Sequence, residues 1–88
     1  MENQEKRLAM IAIVVENFDS VEKLNKLMHE NGQYIIGRMG LPCRDRGVSL
    51  MSIALDAPSD VISSLSGKLG MLPGVSAKTV YAKTQTQL

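Results

Sequence analysis

Residues Leu8 to Val15 read LAMIAIVV, an unbroken apolar run rich in β-branched side chains. It is far shorter than the roughly 20 residues a membrane-crossing helix needs. Its length and branching fit a buried strand. Successive side chains of a strand point to opposite faces. Here both sets are apolar: Leu8, Met10, Ala12 and Val14 on one side, Ala9, Ile11, Ile13 and Val15 on the other. A strand of this kind belongs at the centre of a sheet, and both of its faces ask for cover.

The remaining segments supply only part of that cover. After the turn Glu16-Asn17-Phe18-Asp19, Val21, Leu24, Leu27 and Met28 fall at helical spacing, and Asn31-Gly32 stops the helix. Asp19 followed by Glu22 three residues later reads as a capping box opening that helix. Tyr34 to Leu41 reads as a second strand, Pro42 to Gly47 as a polar connection, and Val48 to Asp56 as a third strand; together they form a hairpin. A second helix opens near Pro58-Ser59, with Ser59 as its expected cap, carries Ile62, Leu65 and Leu69, and ends near Gly70. Pro73-Gly74 turns the chain into a last strand, Val75 to Lys83. The order β-α-β-β-α-β, with right-handed crossovers, predicts an α+β fold of the ferredoxin-like type. Its four-stranded antiparallel sheet has the first and third strands central and two helices on one face. Residues 7–83 form the expected single domain. The polar stretches 1–6 and 84–88 read as a disordered N-terminal tail and a C-terminal tail.

Two helices cover one face of such a sheet. The other is left with the second apolar set of the first strand, plus Leu50 and Ala54 of the third. An apolar patch of this size predicts an interface. A chain of 88 residues is also near the small end of what folds alone. A homodimer or homotetramer is therefore expected.

Composition narrows the function. Net charge is +1 and charged residues make up 22%, which gives no basic footprint for nucleic acid or an anionic membrane. RNA readers of this fold stack bases on aromatics of the first and third strands. Here the aromatics are Phe18, Tyr34 and Tyr81, outside both. The lone Cys43 excludes an intramolecular disulfide and falls short of a cysteine-ligated iron–sulfur cluster. No catalytic constellation stands out: His29 late in the first helix and Cys43 in the hairpin lack an orienting third group. The expectation is a cytoplasmic protein that is no enzyme, holds no cofactor, and binds neither membrane nor, directly, nucleic acid.

Candidate ligand contacts are the first strand-to-helix loop, Asn17, Asp19 and Ser20, beside a helix N-terminus that favours anions. Gly37, Arg38 and Gly40 of the second strand form the other group. Bare backbone there points to a bulge or a close approach, and Arg38 can pair with a carboxylate or phosphate. His29 and Cys43 from different subunits remain as an alternative metal pair.

Certain stretches carry a family pattern. Ile36-Gly37-Arg38-Met39-Gly40-Leu41-Pro42 and Ser66-Gly67-Lys68-Leu69-Gly70-Met71-Leu72-Pro73-Gly74-Val75-Ser76 are its main parts, with Lys6-Arg7-Leu8-Ala9 and Ser20-Val21-Glu22-Lys23-Leu24-Asn25 alongside. Over about residues 6–83 the chain resembles the iron-only hydrogenase system regulator family. The resemblance implies an ACT-like domain, similar to the C-terminal domain of the nickel-responsive transcriptional regulator. It also implies a regulatory role whose partner is a small-molecule effector or a protein of the hydrogenase system. The nickel regulator holds its metal through several histidines and a cysteine, whereas this chain offers only His29 and Cys43. A metal-responsive sensor and a structural oligomerisation adaptor are the alternatives to a ligand- or protein-binding regulatory module.

Overall fold

The computed structural model describes residues 5–83. The expected tails at 1–6 and 84–88 fall mostly outside these residues, although Lys6 is already part of the first strand and pairs with Pro58. The elements are β1 (Lys6–Val15), α1 (Val21–Glu30), β2 (Ile35–Cys43), β3 (Val48–Pro58), α2 (Ser59–Gly70) and β4 (Val75–Tyr81), with short 3-10 turns at Phe18–Ser20, Gly32–Tyr34 and Arg44–Arg46. The sheet is antiparallel, in the order β2-β3-β1-β4. This is the ferredoxin-like arrangement read from the sequence.

The core lies between the sheet and the two helices. Ala9, Ile11, Ile13 and Val15 supply its β1 side, and Ile53, Leu55 and Ala57 its β3 side. Leu24 and Met28 of α1 and Ile62, Leu65 and Leu69 of α2 close over them. The spacing of these helical residues at three and four places an apolar stripe on one side of each helix, which is why both helices lie on the same face. Burying a side chain of this size contributes about 1.5–3 kcal/mol.

The strand-to-helix connection departs from the expected capping box. Asn17, not Asp19, holds the turn: its Oδ1 accepts a hydrogen bond from the Asp19 amide at 2.9 Å. Ser20 occupies the cap position of α1 without capping it, because its hydroxyl donates instead to the Pro73 carbonyl at 2.6 Å. The Glu16 amide donates to the Gly74 carbonyl at 2.7 Å. The turn after β1 and the turn before β4 are thereby tied to each other. Gly74 has φ +69°, and a Cβ built there would lie 2.5 Å from Cβ of Asn17. Only glycine fits this position. Ser59 likewise is the first helical residue of α2 rather than its cap, with Pro58 preceding the helix in extended conformation.

Candidate binding surfaces

The face of the sheet turned away from the helices is built by alternation. Register places Leu8, Met10, Ala12 and Val14 of β1 opposite Asp56, Ala54, Ser52 and Leu50 of β3. On the other side, Met10, Ala12 and Val14 meet Val80, Lys78 and Ser76 of β4. On the outer strand, Gly37, Met39 and Leu41 meet Ala54, Ser52 and Leu50. Most of these residues have no cover. Leu8 is 45% exposed, Met10 49%, Met39 60%, Leu41 56% and Val80 68%. Leu50 and Ile36 are exposed too. Counting about 100 Å² for each large side chain, the face offers on the order of 700 Å² of apolar surface. The largest patch of an ordinary monomer is about 300–600 Å².

Ile36 reaches this face through a bulge. Ile35 pairs with Leu55 and Gly37 with Ala54, so Ile36 is the extra residue. It helps wall a shallow apolar depression of about 280 Å³ with Leu8, Met10, Ala54 and Val80. The irregularity expected from glycine inside β2 is this bulge. Neither Gly37 nor Gly40 has a positive φ, and a Cβ at either meets nothing within 4 Å. The chain's own packing does not require glycine at either place.

The candidate ligand residues divide into separate sites. Asn17, Asp19 and Ser20 lie past the C-terminal end of β1, and Asn17 and Ser20 are committed to the junction with Pro73-Gly74. Gly37 lies level with Met10, toward the opposite end of the sheet. Along β1 the separation from Asn17 is seven residues, roughly 23 Å at about 3.3 Å per residue. The two groups therefore do not form one site in a single chain. Gly40 is level with Ile13 through Met51, on the helix side of the edge strand.

Arg38 is paired with Ile53 and so also projects on the helix side, beyond the edge of the core. Its guanidinium donates to Asn25 Oδ1 of α1 at 3.4 Å in an exposed setting. Asn25, Met28, His29, Gly32, Ile35 and Arg38 line an open depression of about 450 Å³. Asn25 and His29 are one helical turn apart and share a face of α1. Sequence reading singled out Arg38 and His29 separately and passed over Asn25; the i, i+4 spacing of two exposed polar residues was the available signal. An arginine, an amide and an imidazole around a shallow depression can accept a small carboxylate or phosphate.

Cys43 is at the far end of β2 from Ile35, beside the Arg44-Asp45-Arg46 turn. It is therefore remote from His29 within one chain. Among the described residues no three His, Cys, Asp or Glu side chains gather into a metal-binding group. No described helix is long and apolar enough to cross a membrane.

Comparisons with known proteins agree with this architecture. Residues 7–79 match the TM1266-like family, described as "Iron-only hydrogenase system regulator, putative". The solved structure of the uncharacterized protein TM1266 from Thermotoga maritima is 36% identical, covers 90% of this chain and 100% of its own, and superposes with a TM-score of 0.86. The C-terminal domain of the MgtC protein from Mycobacterium tuberculosis shares the fold at 12% identity, with a TM-score of 0.65 and 98% of both chains covered. A formyltetrahydrofolate deformylase from Pseudomonas putida KT2440 does so at 8% identity and a TM-score of 0.64 over 88% of this chain and 29% of that enzyme. The last two likenesses speak for the fold alone. No curated protein matches the sequence.

Proposed function

The chain belongs to the TM1266-like family of iron-only hydrogenase system regulators, and from that membership we propose that it serves such a system as a regulatory module that works by binding rather than by catalysis. The observation that carries this reading is the uncovered apolar sheet face, with Met10 on the central strand β1 and Val80 beside it on the edge strand β4. A surface of this kind is suited to association with a second copy or with a protein of the hydrogenase system. The depression around Arg38, Asn25 and His29 is the favoured place for a small anionic effector. Gly40 shares the helix side of β2 with Arg38 and leaves bare backbone two residues along the strand, whereas Gly37 opens onto the opposite face.

Native mass spectrometry of the purified chain, without added ligand, is the test. An oligomer carrying extra mass supports an effector-binding regulator, and the mass identifies the effector. A clean oligomer favours regulation through protein contacts alone. A monomer at micromolar concentration and above removes the support of the open face. Titration with inorganic phosphate and with a dicarboxylate, followed by calorimetry on the chain and on Arg38→Ala, tests the anion site separately. Heat that persists in Arg38→Ala removes Arg38 from it.

A further inference from the structure

The charged residues within the body of the open face are few and symmetrically placed. Lys6 begins β1 and Glu16 follows its last residue, both away from the strand's centre. Between them the face carries Asp56 on β3 and Lys78 on β4. Asp56 lies opposite Leu8, and Lys78 opposite Ala12. Each is thus one strand away from β1 and two residues away from Met10, on opposite sides and in opposite directions. Met10 marks the midpoint between them. Neither charge forms an ion pair with a described residue.

We infer that this face is covered by a second copy of the same chain, packed sheet on sheet about a two-fold axis that passes by Met10, with the strands of the two sheets crossing steeply. The inference rests on the self-association within the proposed function, not on the hydrogenase assignment. The argument is one of charge and size. Taking strands about 4.8 Å apart and residues about 3.3 Å apart along them, an axis in the plane of the face can exchange the positions of Asp56 and Lys78 in only one orientation. That orientation turns the partner's strands by roughly 70–90°, the orthogonal class of sheet packing. Asp56 of each chain then faces Lys78 of the other, twice per dimer.

The same operation pairs the apolar residues. Leu8 falls over Val80 of the partner, and Ala12 over Ala54. The depression around Met10 meets its own copy. An aligned packing about an axis along β1 instead sets Asp56 against Ala82 and Lys78 against Ser52, so that neither charge faces an opposite charge across the interface while both lose water, which is costly. The area agrees as well. Leaving out Leu41 and Leu50, which fall at the rim of such a crossing, about 500 Å² of apolar surface per chain is covered, the larger part of the ~800 Å² each partner contributes to a standard interface.

The test uses Asp56→Lys, Lys78→Asp, the double variant, and an equimolar mixture of the two single variants, all by sedimentation equilibrium. Circular dichroism checks that each variant is folded. Each single variant is expected to weaken self-association at least tenfold, since each places two like-charge pairs in the interface. The double variant restores association. The mixture restores it as well, because a heterodimer of the two single variants has both pairs opposite in sign. A wild-type chain that is monomeric overturns self-association itself. A wild-type oligomer that the single variants leave unchanged, or that neither the double variant nor the mixture restores, overturns this geometry while leaving self-association standing.

Discussion

The Ser20 hydroxyl donates a 2.6 Å hydrogen bond to the carbonyl of Pro73, across 53 positions of sequence. Ser20 is 3% exposed, the buried polar residue of the described chain. This contact fastens the exit of β1 to the entrance of β4, so it reports on the assembled sheet rather than on helix capping. Ser20→Ala removes the donor and leaves a carbonyl in a part-buried place without it. A loss of about 1–2 kcal/mol is expected, read from the midpoint of urea unfolding with an unchanged m-value.

Gly74 and Gly47 share nearly the same backbone, φ +69° and +66°, but not the same surroundings. At Gly47 an added Cβ meets open space; at Gly74 it meets Asn17. Gly47→Ala is expected to cost about 1–2 kcal/mol, the strain of a left-handed conformation. Gly74→Ala adds a steric cost to the same strain and is expected to destabilise clearly more. Thermal unfolding of the two variants side by side isolates the contribution of the Asn17 contact.

Met10 and Ile11 are neighbours on β1 whose side chains face opposite sides of the sheet. Ile11 is wholly buried in the core. Ile11→Ala is expected to cost about 2–5 kcal/mol at every protein concentration. Met10→Ala leaves the core intact. Its expected effect is on assembly, a drop in unfolding temperature relative to wild type that is largest at high protein concentration and shrinks as both proteins are diluted into monomers. Equal, concentration-independent losses for both would count against an interface at Met10.

Gly37 and Gly40 have backbone that alanine adopts and open space for its methyl group. On chain stability alone, Gly37→Ala and Gly40→Ala are expected to be neutral or to stabilise by up to about 1 kcal/mol. A weakened assembly or a weakened effector complex in a variant of unimpaired stability would locate the close approach that the glycines permit.

Much of this architecture is legible in local sequence. The uniformly apolar LAMIAIVV run predicts a central strand, and the structure sets it between β3 and β4. The stripe of Ile62, Leu65 and Leu69 predicts which side of α2 is buried. Local reading fails where a residue's partner is distant. Asp19 and Glu22 carry the spacing of a capping box, yet Asn17 makes the turn and Ser20 is drawn to Pro73. Nothing near Ser20 in the chain announces that bond. The Arg38 depression was hidden for a similar reason: its walls come from α1 and β2, and their juxtaposition depends on how the helix lies along the edge strand. The opposition of Asp56 and Lys78 about Met10 is also a property of register, visible only once three strands are aligned.

The sheet order has a consequence for the newborn chain. The strand synthesised first is the central one, and its hydrogen-bonding neighbours are β3 on one flank and β4 on the other. The hairpin β2–β3 closes locally, but LAMIAIVV must wait, aliphatic and unpaired, until the ribosome has released β3, and it stays half-flanked until β4 follows. During that delay it is the segment best suited to pair wrongly with a neighbouring nascent chain. Slow translation beyond β2, or a shortage of holding chaperones, should therefore cost this protein more yield than its folded stability would suggest.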